Sequence, residues 1–82
     1  MTPQTIVNIL RQQMPEAIIR VDGDDGVHFA ASIISEQFDG MSMVARHRLV
    51  YQALGDHMQS AIHALSIQAM TPAESTAQGE KT

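Results

Sequence analysis

The run Asp22-Gly23-Asp24-Asp25-Gly26 constrains the fold of this chain more than any other feature. Glycine accepts the positive φ of a tight turn at no steric cost, and aspartate side chains hydrogen-bond their own local backbone, so five such residues in succession reverse the chain. The flanking segments have the composition and period of strands. Ala17 to Val21 is rich in Ile and Val, and Val27 to Ile34 alternates, with Val27, Phe29, Ala31 and Ile33 on one face and His28, Ala30, Ser32 and Ile34 on the other. Two antiparallel strands around one turn are therefore expected.

Helical periodicity brackets this pair. Thr2 can cap a helix that has Pro3 at its first position, where the missing N–H would be orphaned anyway. Ile6, Ile9, Leu10 and Met14 make one apolar stripe, and Pro15 ends it. The loop from Ser35 to Met41 offers one large apolar anchor, Phe38. Ser42 then caps a second helix in which Met43, His47, Val50 and Leu54 share a stripe, with Gly55 as C-cap. Asp56 to Ser60 reads as an irregular link. Ile62 to Ala69 alternates again, placing His63, Leu65, Ile67 and Ala69 on one face. Thr71-Pro72-Ala73-Glu74 is a capping box that starts a short last helix. Ala77 is the only apolar residue from Ser75 to Thr82, so residues 75–82 are expected to form a flexible tail behind a domain of residues 1–74. The order αββαβα predicts an α+β domain: a three-stranded mixed sheet, its third strand reached through a helical crossover, with the helices packed on one face.

A chain of 82 residues buries only about 60% of its unfolded surface. With no cysteine it has neither a disulfide nor a thiolate for a metal, so its core or a partner must hold it together. Its start has neither the pattern of a secretory signal nor an apolar run of about 20 residues, and a soluble, cytoplasmic protein without membrane contact is expected. The net charge of −4 is unevenly spread. Residues 1–41 hold Arg11 and Arg20 against Glu16, Asp22, Asp24, Asp25, Glu36 and Asp39, whereas Arg46, His47 and Arg48 form one short basic cluster. A nucleic-acid binder normally carries a wider basic stripe.

No catalytic set stands out, and the chain is read as a non-enzyme. The serines lack His and Asp partners at a recognisable spacing, and Gly40-Met41-Ser42-Met43 matches a nucleic-acid-binding GxxG loop only at its first position. The four histidines are the better lead. Imidazole suits iron, zinc and copper, but one or two histidines supply only part of a four-coordinate site. Each also has a plainer reading: His63 as a half-buried strand residue bonded to a carbonyl, His28 as a solvated strand residue, His47 as structural at the core's edge, His57 as surface. Spacing alone leaves the choice open.

Three segments then bear on it. Phe38-Asp39-Gly40-Met41-Ser42, Arg46-His47-Arg48-Leu49-Val50-Tyr51 with Leu54, and Ile62-His63-Ala64-Leu65-Ser66-Ile67 followed by Thr71-Pro72 resemble the BolA family, most of all its short IbaG-like branch. The resemblance runs over roughly residues 3 to 74 and implies the family's αββαβα fold, a relative of the class II KH topology. It implies an adaptor that pairs with a monothiol glutaredoxin around a bridging 2Fe-2S cluster, in iron-sulfur trafficking or in iron and stress regulation. Sulfur ligands would come from the glutaredoxin and, through that partner, from glutathione. The corresponding ligands here would be His63 and His28, and no cofactor is expected on the isolated chain. The second helix and last strand, with the basic Arg46/Arg48 end, would form the partner face, and Arg46 and His47 match a family pair assigned mainly to fold and surface shape. The sequence departs from the family pattern at Ser75, where Trp is frequent. The alternative that the resemblance carries is a KH-like nucleic-acid-binding transcriptional regulator, with weak DNA binding on the same Arg46, His47 and Arg48 face.

Overall fold

The structure, a computed structural model, describes residues 2–58 and 64–79. Helix α1 spans Pro3–Gln13, strand β1 Ile18–Asp22, strand β2 Phe29–Ile34, helix α2 Met43–Leu54, strand β3 Leu65–Met70 and helix α3 Pro72–Gly79, with 3-10 turns at Glu36–Phe38 and Gly55–Met58. Strand order is β1-β2-β3. β1 runs antiparallel to β2, and β2 runs parallel to β3, so the sheet is mixed as its sequence order requires.

Caps and stripes place the helices as the sequence predicts. The Thr2 side chain accepts the Thr5 N–H, and Ser42 accepts the Ala45 N–H. Ile6 and Leu10 from α1, Met14 at its C-cap, and Val50 and Leu54 from α2 join Phe29, Ala31, Ile33, Leu65 and Ala69 in one core on one face of the sheet. Phe38 is fully buried there and pins its loop. On the opposite face β1 leaves Ile18 66% exposed.

Three expectations are corrected. Val27 and His28 stand outside β2, and Val27 is exposed instead of facing the core with Phe29, because the Asp25 side chain takes both their N–H groups. On α2 Val50 and Leu54 are buried as predicted, but in the first half of the helix Arg46 is the buried residue, whereas Met43 lies out in solvent and His47 is half-buried. The expected tail is helical as far as Gly79. Glu74 ties the first turn of α3 to Arg46, and nucleation is the costly step in helix formation. His63 and residues 59–62 lie outside the described residues, so β3 is followed from Leu65.

Candidate functional site

Parallel pairing brings the starts of β2 and β3 to the same end of the sheet, with Phe29 opposite Leu65. The turn between β1 and β2 closes that end. An open cleft of about 410 Å³ lies there, lined by Asp22, Asp24, Asp25, His28, Ala30, Ala64 and Ser66 among others. The topology thus brings His28 to one end of the sheet together with Ala64 and Ser66 at the start of β3. His28 stands in the cleft, and His63, outside the described residues, is the covalent neighbour of cleft-lining Ala64.

The turn is built to hold His28 in one place. The Gly26 N–H donates to the Gly23 carbonyl at 3.2 Å, and Gly26 takes φ +71°, which favours glycine. Asp25 Oδ1 accepts the N–H groups of Val27 and His28, both at 2.8 Å. The other carboxylate oxygen, Oδ2, meets His28 Nδ1 at 2.8 Å. These three hydrogen bonds, led by the imidazole, hold the Asp25 carboxyl far below the ordinary carboxylate range. Gly23 lies so close to the Phe29 ring that a Cβ there would meet Cδ1 at 2.5 Å, which packs the turn directly on the first residue of β2. The His28 side chain is nonetheless 75% exposed, and His28 lines the cleft.

The basic cluster divides. Arg46 is buried, at 6% exposure, and is drawn into the fold. Its Nε donates to the Met41 carbonyl and Nη1 to the Ala69 carbonyl, while Nη1 and Nη2 grip Glu74 at 2.6 and 3.1 Å. The guanidinium also lies 5.9 Å from the Phe38 ring centroid. Glu74 additionally accepts the Thr71 N–H, while the Thr71 hydroxyl accepts the Glu74 N–H, closing the predicted capping box. The Arg46 guanidinium and the Thr71 N–H lower the Glu74 carboxyl from 4.5 to about 2, and Glu74 in turn raises Arg46. Arg46 therefore cannot serve as a free cation on a partner or nucleic-acid face, because a desolvated guanidinium is committed where its charge is already matched. His47 is half-buried and Arg48 exposed.

Among the described residues no group of three or more His, Asp or Glu side chains could enclose a metal ion. What the site offers is one exposed, oriented imidazole, a donor suited to iron but needing ligands from elsewhere. Sequence reasoning singled out His28 and missed Asp25, its fixing partner. The signal was present: an Asp at the end of a turn, three residues before a histidine, is placed to bond both backbone and ring.

The chain matches the family model described as BolA-like protein over residues 4–74. A solved structure of a bolA protein homologue from Coxiella burnetii superposes with a TM-score of 0.81 at 42% identity, covering 93% of this chain and 97% of that one. Among curated proteins, SufE-like protein 1, chloroplastic/mitochondrial, of Arabidopsis thaliana is 57% identical over 53 residues, which are 63% of this chain and 14% of that protein. The DNA-binding transcriptional regulator BolA of Vibrio cholerae is 49% identical over 47 residues, 57% of this chain and 44% of that protein. The matched segments thus span less than half the length of either curated relative. No helix among the described residues is long and apolar enough to cross a membrane.

Proposed function

The chain belongs to the BolA-like protein family, and on that premise we propose that it acts as an adaptor, not a catalyst: it pairs with a monothiol glutaredoxin and supplies imidazole to a shared 2Fe-2S cluster, its cargo. The observation that carries this reading is His28, exposed yet held in one orientation at the sheet end to which the start of β3 also leads. His63 is the second proposed donor, adjoining Ala64 in sequence. The donor set suits a partial ligand. The chain has no cysteine, so every thiolate must come from the glutaredoxin and its glutathione. Imidazole in place of thiolate leaves a cluster less negative and raises its potential. A neutral ligand that can take up a proton also favours release to an acceptor. The partner face is proposed to include exposed Arg48 on α2, whereas buried Arg46 serves the fold.

Mixing this protein with a monothiol glutaredoxin, glutathione, iron and sulfide tests the reading. A heterodimer is expected whose visible spectrum differs from that of the glutaredoxin homodimer. An unchanged spectrum with His63→Ala and with His28→Ala would remove both ligand assignments.

The Vibrio cholerae relative's name favours a second reading, DNA binding. The net charge of −4 and the commitment of Arg46 to Glu74 weigh against it. Titration with duplex DNA at two salt concentrations separates the two readings. Phosphate contacts strengthen as salt falls, so saturable binding at low salt that weakens at high salt favours the regulator, and its absence at low salt excludes it.

A further inference from the structure

We propose that Asp25 is a positioning residue for His28: it holds the neutral imidazole in the tautomer protonated at Nδ1, so that the lone pair presented to the cleft, and to iron, is on Nε2. This rests on the reading of His28 as a ligand, and it adds which atom binds and what selects it.

The inference follows from hydrogen-bond polarity. Both carboxylate oxygens of Asp25 are acceptors. Oδ1 is occupied by the Val27 and His28 N–H groups, and Oδ2 faces Nδ1 at 2.8 Å. Nδ1 can close that contact only by donating a proton, which leaves Nε2 unprotonated in the neutral ring. An unpartnered, solvated histidine carries its proton mainly on Nε2, so the carboxylate reverses the ordinary preference. A carboxylate behind a histidine is also the arrangement that orients metal-binding imidazoles and raises their basicity. The turn cannot easily yield, since Gly23 packs on the Phe29 ring and the two backbone donors fix the carboxylate's rotation.

Asp25→Asn isolates this role because it keeps the shape. The two backbone N–H groups still require an acceptor, which assigns the amide oxygen to them and turns the amide NH2 toward Nδ1. That side chain now donates, Nδ1 must accept, and the proton moves to Nε2. The fold should be unaffected, as judged by an unchanged unfolding midpoint.

The decisive measurement is long-range 1H–15N NMR of the 15N-histidine-labelled free protein at alkaline pH, followed by reconstitution with glutaredoxin, glutathione, iron and sulfide. His28 is expected to be protonated at Nδ1 in the parent chain and at Nε2 in Asp25→Asn. The half-life of the shared cluster should fall at least about 10-fold in Asp25→Asn, as is usual when a metal-bound histidine loses its carboxylate. A parent His28 protonated mainly at Nε2 overturns the positioning role, even if His28→Ala alters the cluster spectrum and His28 remains a ligand. A parent His28 protonated at Nδ1, with His28→Ala leaving the spectrum unchanged, overturns the ligand reading instead and the proposal's iron clause with it.

Discussion

Replacing Gly23 by alanine tests the packing that fixes the turn above the cleft. Gly23 has no positive φ to protect, so on conformational grounds alone Gly23→Ala should stabilise the protein by about 0.4–1 kcal/mol through the unfolded chain. Contact geometry predicts the opposite. The new Cβ would lie 2.5 Å from Phe29 Cδ1, 2.8 Å from Cε1 and 3.3 Å from the His28 carbonyl oxygen. Carbon atoms pack at about 3.5–4.0 Å, so the ring must retreat by roughly 1 Å. Phe29 is 4% exposed in a core that includes Leu65, and its retreat is into filled space. Forced overpacking costs about 1–3 kcal/mol. The net expectation is a loss of roughly 1–2 kcal/mol, read by urea unfolding as a lower midpoint at unchanged slope, and by heating as a fall of roughly 4–16 °C. Phe29→Val removes the ring atoms, and in that background Gly23→Ala should cost nothing or stabilise. A penalty below about 0.5 kcal/mol in the parent, or an equal penalty in both backgrounds, refutes the clash, since independent sites add and touching ones do not.

Two further outcomes concern the fold that carries the site. Phe38→Ala should cost about 3–5 kcal/mol in urea unfolding, because the ring is fully buried and carries the Ser35–Met41 loop and one face of Arg46; a loss under 1 kcal/mol would mean that the loop does not depend on it. Glu74 predicts an acid dependence. Its carboxyl titrates at about 2 when folded against 4.5 ordinarily, so the unfolded state binds its proton first as pH falls. Stability from the Arg46–Glu74 pair is therefore complete above about 4.5 and lost as pH drops toward about 2. Arg46→Gln should flatten this part of the profile, measured as unfolding midpoint against pH, and an unaltered acid limb would show that other carboxylates carry it.

Much of this fold is legible because its signals are local. Thr2-Pro3 and Ser42 mark helix starts by capping chemistry that needs no knowledge of the rest of the chain, and the Asp/Gly turn fixes the antiparallel pair. The errors arise where a distant or competing partner decides. Val27 and His28 continue the alternation of β2 perfectly, yet both leave the strand because the Asp25 side chain claims their N–H groups. Met43 and His47 fit the α2 stripe as well as Arg46 does, since three- and four-residue spacings share one helix face. What buries Arg46 is Glu74, 28 residues away, with two backbone carbonyls, none of which a helical period can reveal. The same pair explains α3, whose own sequence has little to bury. At the candidate site, His28 was visible through family resemblance, whereas its orientation required the position of Asp25. The meeting of the starts of β2 and β3 needed the parallel register.

The central claim is that histidine from this chain binds iron in a cluster shared with a glutaredoxin. The most direct test is pulsed electron paramagnetic resonance on the reduced heterodimer, with only this chain labelled with 15N-histidine and the glutaredoxin unlabelled. The account predicts strong hyperfine coupling to 15N, diminished by His28→Ala or His63→Ala. A reduced cluster that forms in the heterodimer with no 15N coupling from this chain would contradict it.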